Sequence, residues 1–268
     1  MRIKTLLVSC ATLSLFVACG GDDGAGSGYT TENADADEGE DGDTMGESGE
    51  DTDGSTDGDS DSTDSGDGGI PIEPDNMIDN FEDGDNALIP NGGRQGYWYT
   101  FNDASEGSTQ SPAEDAVAPE MGGAAGTSMA MHTTGSGFAE WGAGIGIDLN
   151  NAGDPEGMTN GVKMPYDSSS YTGIVLMAKG NSQIRASVQL SSTIPPEEGG
   201  TCELDCDPHG KVLLLTDEWQ QFTLPFDELN QEGWGSPAAW DSSIVVGIQF
   251  KAGKDTDFDF WVDEIGFY

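Results

Sequence analysis

The sequence predicts an all-β protein, an antiparallel β-sandwich of the jelly-roll type, that follows a leader and an acidic spacer. After Met77, short β-prone runs alternate with clusters of Gly, Pro, Asn, Asp and Ser, and no long stretch has helical periodicity. Several runs alternate apolar and polar residues, which is typical of antiparallel strands with one buried face. About ten such strands in this length pack best as two sheets, so a jelly roll is expected.

Residues 1–18 have the features of a secretory leader. Arg2 and Lys4 form a basic start, and the apolar stretch from Leu6 to Ala18 is shorter than the roughly 20 residues that cross a bilayer. The run LFVAC at 15–19, which includes the end of this apolar stretch, resembles the lipobox of bacterial lipoproteins. This resemblance implies a lipidated Cys19 and an envelope protein anchored by lipid, with the outer membrane as the expected location and surface exposure compatible with it. An ordinary signal peptide that leaves Cys19 as a free thiol is the alternative.

Residues 19–75 are expected to form a disordered stalk. Between Gly20 and Gly69 there are 18 acidic residues and no Lys or Arg, in a background of Gly, Ser and Thr. Such a segment buries too little apolar surface to offset its ordering entropy, and its like charges repel. Asp-rich stretches at 51–54 and 57–61 resemble calcium loops superficially, but they do not continue with the Gly at the sixth position and the Glu at the twelfth that a complete EF-hand loop requires.

Residues 76–268 form the predicted binding domain, which is strongly acidic. After Gly69 the chain has 32 acidic residues and 7 basic ones. This balance argues against nucleic acid and anionic membrane surfaces as partners, because both require basic patches. Membrane contact is therefore expected through the lipid alone, neutral ligands stay open, and the oligomeric state is not indicated.

The domain retains two cysteines, Cys202 and Cys206, in one short loop. An exported protein resides in an oxidising compartment, so this spacing favours a local disulfide. A metal site that adds His209 and Asp205 or Asp207 is the alternative, although a compact zinc site normally has two paired arms of ligands.

Ten strands are predicted, each bounded by turn residues. In the runs that begin at 183, 243 and 257, apolar residues share one face and polar residues the other. The runs around 174–177 and 212–215 are apolar on both faces, which indicates central or covered strands. The predicted strands are 77–81, 97–101, 128–133, 138–149, 173–179, 183–191, 211–215, 220–225, 243–252 and 257–268.

Glycines alternate with other residues from Trp141 to Ile147 and remove side chains from one face of that run. Such a pattern indicates either close packing or the approach of a ligand to the backbone. Packing is the favoured interpretation.

Four strings occur in order along the predicted domain: MIDNFEDG at 77–84, GFAEWGAG at 137–144, WQQFTLPF at 219–226 and FWVDEI at 260–265. In order and spacing they resemble carbohydrate-binding modules of the galactose-binding-like jelly-roll superfamily, the group that includes the family 11 modules and the CIA30-like domains. The resemblance covers 78–268. It implies a β-sandwich that binds sugar on one sheet face and often holds a structural calcium at its edge.

Saccharide binding requires flat rings that stack on C–H faces and planar polar groups that pair with hydroxyls. The polar faces of three predicted strands present such groups, and they would line one surface if the strands are neighbours. Tyr97 and Tyr99 share a face of another strand. The alternative is that Trp261 packs under a loop and the rest are solvated. The candidate ligand-binding residues are Trp261, Arg185, Gln189, Gln249, Asp259, Tyr97 and Tyr99.

A calcium ion is expected at the sandwich edge. The first and last strands of such sandwiches commonly pair, which would bring Asp79 and Glu82 near Asp263. Carboxylate oxygens gathered without a basic partner suit this hard cation. The alternative is that these acids cap turns.

The predicted function is a non-catalytic, membrane-anchored protein that binds a polysaccharide or oligosaccharide. An adhesion or envelope structural protein that binds another protein is the alternative. A glycoside hydrolase is a weaker one, because two carboxylates roughly 5 to 9.5 Å apart arise by chance in so acidic a chain. The chain has two histidines and no Gly-x-Ser-x-Gly elbow around a serine, so no catalytic residue is assigned.

Overall fold

The computed structural model describes residues 69–153 and 161–268, so the predicted leader and most of the predicted stalk lie outside the described residues. Twelve strands alternate with five short 3-10 helices over this part of the chain. No helix within it is long and apolar enough to cross a membrane. The strands are β1 (Met77–Asp79), β2 (Trp98–Asn102), β3 (Thr109–Ser111), β4 (Glu120–Met121), β5 (Met129–Ser136), β6 (Ala143–Asp148), β7 (Gly173–Gly180), β8 (Gln183–Leu190), β9 (His209–Leu214), β10 (Gln220–Pro225), β11 (Val245–Ala252) and β12 (Phe258–Phe267).

The strands form two antiparallel sheets. The larger has seven strands in the order β10-β7-β12-β5-β3, with β1 added on β12 and β4 added on β5. The smaller has five strands in the order β2-β6-β11-β8-β9. Neighbours in both sheets are mostly distant in sequence, so the apolar alternation of each strand, rather than local turns, determines which face meets the other sheet.

The hydrophobic core lies between the two sheets and is built from their inward-facing side chains. Trp98, Ile145 and Phe250 from the smaller sheet are fully buried, as are Phe260 and Leu176 from the larger one. The Trp98 ring lies 5.1 Å from the Phe81 ring and 6.4 Å from the Phe250 ring. Burying an aliphatic or aromatic side chain of this size contributes about 1.5–3 kcal/mol, so this layer holds the sheets together.

The all-β sandwich predicted from the sequence is confirmed, and so is the Cys202–Cys206 disulfide, whose Cα atoms are 5.8 Å apart. Most predicted strands agree with the structure within two or three residues. The predicted run 138–149 is wrong in its first part, because Phe138 to Gly142 form a loop and β6 starts at Ala143.

Strands β3 and β4 were not predicted, because each is two or three residues long and lacks a buried apolar face. Strand β1 ends at Asp79 rather than Phe81. Phe81 has a φ of 61°, in the left-handed region that extended strands do not use.

The chain reaches β1 across the outer face of the seven-stranded sheet. The Ile70 N–H donates to Gln221 Oε1 at 2.6 Å, and Gln221 Nε2 donates to the Ile70 carbonyl at 2.9 Å. Gln221 lies three residues before the core residue Leu224 on β10, so its side chain projects to the opposite, outward side. The segment that enters the domain is therefore fixed on the outside of the larger sheet.

Candidate ligand-binding cleft

The outer face of the five-stranded sheet forms the floor of a cleft. One cross-strand row on this face passes through all five strands and includes two glycines, so the floor is shallow. A Cβ atom on Gly146 would come within 2.7 Å of the Tyr99 ring, and one on Gly144 would collide with the Phe250 carbonyl oxygen. The glycine alternation therefore serves close packing, as the sequence favoured. The row consists of Tyr99, Gly146, Gln249, Ser187 and Gly210.

Aromatic side chains form a strip along β2, the edge strand of this sheet. Tyr97, Tyr99 and Phe101 are two residues apart and project to the same side. The Tyr99 and Phe101 ring centroids are 6.2 Å apart, and Phe101 stacks on Trp141 at 6.1 Å with an interplanar angle of 21°. Tyr97 is 52% exposed and Trp141 is 45% exposed, so both ends of this aromatic strip reach solvent.

Asp103 positions the loop that holds Trp141. Its Oδ2 accepts hydrogen bonds from the backbone N–H groups of Glu140, Trp141 and Gly142 at 2.8 to 3.0 Å. Its Oδ1 accepts from the N–H and hydroxyl of Ser105. Partial burial raises the Asp103 pKa because it disfavours the charged carboxylate. The hydrogen bonds have a larger effect and hold the pKa well below its usual range.

Lys163 lies at the centre of the polar side of the cleft. Its Nζ is 2.9 Å from Glu198 Oε2 and 3.3 Å from Asp148 Oδ1. The same amine donates to Gln189 Oε1 at 3.2 Å and to the Tyr99 hydroxyl at 3.5 Å. The Lys163 side chain is only 10% exposed, and groups from four different segments hold its ammonium in place.

Lys163 and Asp148 both have shifted pKa values. Burial disfavours the Lys163 ammonium, but its interactions with Tyr99, Asp148 and Glu198 outweigh burial and raise the pKa above the ordinary value. Burial raises the Asp148 pKa, in spite of the nearby ammonium and a hydrogen bond from Asn151 Nδ2 at 2.9 Å. Asp148 Oδ1 is buried and makes no hydrogen bond within the described residues apart from its ion pair with Lys163.

Tyr99 connects the aromatic strip with the polar floor. Burial raises the pKa of its hydroxyl to about 12, with the Lys163 ammonium opposing the shift. The hydroxyl is therefore neutral at physiological pH. It accepts from Gln249 Nε2 at 3.2 Å as well as from Lys163, and a hydroxyl that accepts two hydrogen bonds still has one hydrogen to donate.

The cleft has a volume of about 750 Å³, within the range of small-molecule sites in proteins. Rings line one side of it, and carboxylates, amides and one ammonium line the other. Its lining includes Tyr97, Tyr99, Phe101, Asn102, Glu114, Asp148, Asn151, Lys163, Glu198 and Gln249.

The structure brings four of the seven candidate ligand-binding residues together. Tyr97, Tyr99 and Gln249 line the cleft, and Gln189 contacts Lys163 beside it. Arg185 lies on the same sheet face but near β9, where its guanidinium donates to the Asn230 carbonyl at 2.5 Å.

The other two candidates, Trp261 and Asp259, lie on β12 in the seven-stranded sheet. The seven residues therefore do not line one surface, because their strands belong to different sheets. His132 on β5 stacks on the Trp261 ring at 3.8 Å, and Lys179 Nζ on β7 lies 5.0 Å from the centroid of that ring. Strands β5 and β7 are the neighbours of β12 on its two sides. A ring covered on both sides is a poor platform for stacking a sugar. The geometry therefore favours the cleft on the five-stranded sheet as the ligand-binding site.

Asp148, Lys163 and Glu198 line the cleft but were not predicted from the sequence, and neither was Trp141, which stacks on Phe101. Lys163 lies in a loop and Glu198 in the three-residue 3-10 helix Pro196–Glu198, where periodicity gives no signal. One signal was available: Lys163 is the only Lys or Arg between Arg94 and Lys179.

The proposed calcium ligands do lie at the edge where β1 pairs with β12, as expected. Asp79 accepts from the Phe81 N–H at 2.9 Å and from Trp98 Nε1 at 2.8 Å. Asp263 accepts from the Ala124 N–H at 2.7 Å and from the Thr127 hydroxyl at 2.6 Å.

Glu82 Oε1 accepts from the N–H groups of Ser128 and Met129. Each proposed calcium ligand thus already binds protein donors. Across residues 69–153 and 161–268, no three His, Cys, Asp or Glu side chains are grouped to hold a metal ion. The arrangement described does not fit a calcium site at this edge.

Calcium binding remains a prediction that a thermal melt can test. If Asp79, Glu82 and Asp263 only accept hydrogen bonds from the protein, millimolar CaCl2 and excess EGTA should give the same melting temperature. A calcium-dependent rise that Asp263→Asn removes would instead support a bound ion, since a ligand that binds only the folded state stabilises it.

No protein-family profile matches the chain, and a comparison with curated proteins gives no match. Solved structures do resemble it. The domain is similar to family 11 carbohydrate-binding modules. One, from a cellulosomal cellulase of Clostridium thermocellum, has a TM-score of 0.49 and 16% identity, over 74% of this chain and 95% of the module.

Two further structures from Clostridium thermocellum are similar. A family 11 module in complex with a β-1,3-1,4-mixed-linked tetrasaccharide has a TM-score of 0.46 and 16% identity, over 72% of this chain and 94% of the module. A family 30 module of a cellulosomal cellulase has a TM-score of 0.45 and 13% identity, over 72% and 95%. The family 11 modules are in the group that the four sequence strings resemble. At such low identity the argument for a ligand rests on the cleft itself.

Proposed function

We propose that this protein binds a saccharide in the cleft on the five-stranded sheet and performs no reaction on it. The observation that supports this proposal is the position of Tyr99, whose ring belongs to the aromatic strip and whose hydroxyl belongs to the polar floor. A site with apolar rings on one side and fixed hydrogen-bonding groups on the other matches the two kinds of surface that a sugar presents.

The chemistry of the cleft fits a saccharide in detail. Sugar C–H faces stack on flat rings, and Tyr97 and Phe101 are separated by four residues, or roughly 13 Å along a strand. This length exceeds one pyranose ring. Gln249, Gln189 and Asn102 supply amide groups that both donate and accept, which is what a hydroxyl requires of its partner.

We further propose that the protein is held at the cell envelope by lipid on Cys19. The proposal rests on the lipobox-like run LFVAC. Labelled palmitate should enter the wild-type chain and not a Cys19→Ser variant.

The proposed function can be tested with the full chain on a panel of immobilised polysaccharides. The protein should be retained by at least one polymer and released by soluble oligosaccharides of the same sugar. Retention should occur without any shortening of the polymer, as measured by reducing ends. Failure to bind any member of a broad panel, or release of reducing sugar, would contradict the proposal.

A further inference from the structure

We infer that the cleft selects uncharged saccharides against acidic ones, and that Glu198 is the residue that determines this selectivity. The inference rests on the proposed function and specifies its ligand class. Within residues 69–153 and 161–268, the charged groups that line the cleft are the carboxylates of Glu114, Asp148 and Glu198 and the ammonium of Lys163.

The single ammonium is already neutralised by the protein. Lys163 Nζ has Asp148 Oδ1 at 3.3 Å and Glu198 Oε2 at 2.9 Å. Its remaining contacts are with acceptor oxygens of Gln189 and Tyr99. Among the described residues, an acidic sugar that enters the cleft therefore meets no unpaired cation and lies close to carboxylates.

Glu198 differs from Asp148 in accessibility. The Asp148 side chain is 8% exposed and lies in the floor, whereas that of Glu198 is 44% exposed and lies at the rim, where an incoming carboxylate would have to approach Lys163. The backbone N–H of Lys163 also donates to the Glu198 carbonyl at 3.0 Å. Glu198 is thus fixed in the place that an anionic ligand group would take.

The wider charge distribution acts in the same direction. The part of the chain after Gly69 has 32 acidic and 7 basic residues, so its field repels anions before they reach the cleft. This long-range effect is screened by salt over about 10 Å at 0.1 M, whereas the contact of Glu198 with a partly buried ammonium is screened much less. The two contributions can therefore be separated by experiment.

The test compares two forms of one polymer: the neutral polysaccharide that the full chain binds best in the panel, and the same polymer after oxidation of its primary alcohols to carboxylates. Affinity for both is measured for the wild type, for Glu198→Gln, and for Glu197→Gln as the matched control. Glu197 is the exposed neighbour of Glu198 in the same 3-10 helix, so the control removes the same charge without touching Lys163.

The wild type should bind the neutral form at least about tenfold more tightly than the oxidised form at 0.5 M salt. Glu198→Gln should reduce that ratio by roughly tenfold, which corresponds to 1.4 kcal/mol of selectivity, because Lys163 then has a free side toward the cleft. Glu197→Gln should leave the ratio within about twofold of wild type.

Equal changes in the two variants would overturn the assignment to Glu198, since net charge alone would then explain them. Equal binding of the two polymer forms by the wild type would overturn the inference while leaving the proposed function in place. A wild-type chain that binds no polymer at all would overturn both.

Discussion

Replacing Tyr99 by alanine is expected to weaken saccharide binding by about 30- to 150-fold, or about 2–3 kcal/mol, as measured by titration calorimetry with the best ligand of the panel. The substitution removes a stacking ring from the middle of the aromatic strip. It also removes the hydroxyl to which Lys163 and Gln249 donate, so both surfaces of the cleft are affected.

Two further variants make this result specific. Tyr99→Phe keeps the ring and removes only the hydroxyl, and it should cost roughly fivefold, the value of one net hydrogen bond of about 1 kcal/mol. Trp261→Ala removes a larger ring from the opposite sheet, where His132 and Lys179 cover it, and should leave affinity unchanged. The reverse outcome, with loss in Trp261→Ala and none in Tyr99→Ala, would move the site to the seven-stranded sheet.

Replacing Lys163 by methionine is expected to lower the free energy of unfolding by about 3–5 kcal/mol, as measured by urea denaturation at pH 7. The Lys163 and Asp148 side chains are 10% and 8% exposed, and removal of one member of a buried pair leaves the other charge buried and uncompensated. Since a typical domain has about 5–15 kcal/mol of stability, this single change is a large fraction of the total.

The double variant Lys163→Met/Asp148→Asn separates charge burial from loss of packing. It removes the stranded carboxylate while keeping an oxygen that can accept from Asn151 Nδ2, so most of the stability should return. A single variant as stable as wild type, or a double variant no more stable than the single, would contradict the buried-pair account.

The Lys163 pair also predicts the direction of a pH effect. The folded-state pKa of Lys163 lies above its ordinary value of 10.5, so its stabilising contribution is complete below that pH. The contribution is lost as pH rises through the folded-state pKa. In the neutral range, therefore, Lys163 keeps its charge and its stabilising contribution.

The strand pattern was predictable because the alternation of apolar and polar residues along a strand is a local property of the sequence. Along 184–190 and 244–250, side chains alternate between core and outer face with a period of two, which does not depend on the neighbouring strands. The Cys202–Cys206 bridge was predictable for the same reason, since its partners are four residues apart. Tyr97, Tyr99 and Gln249 could be proposed as ligand contacts because their strands present them outward.

The set of strands and the outward or inward direction of their side chains could thus be predicted from the sequence alone. Which strands share a sheet could not, and the tertiary structure placed Trp261 on β12 opposite the cleft rather than beside Gln249 on β11. The fold also brings Lys163 and Glu198, which are 35 positions apart in two segments outside the strands, to 2.9 Å from each other. Sheet order and loop position depend on how the whole apolar surface is buried, a property of many distant residues at once that no local period can express.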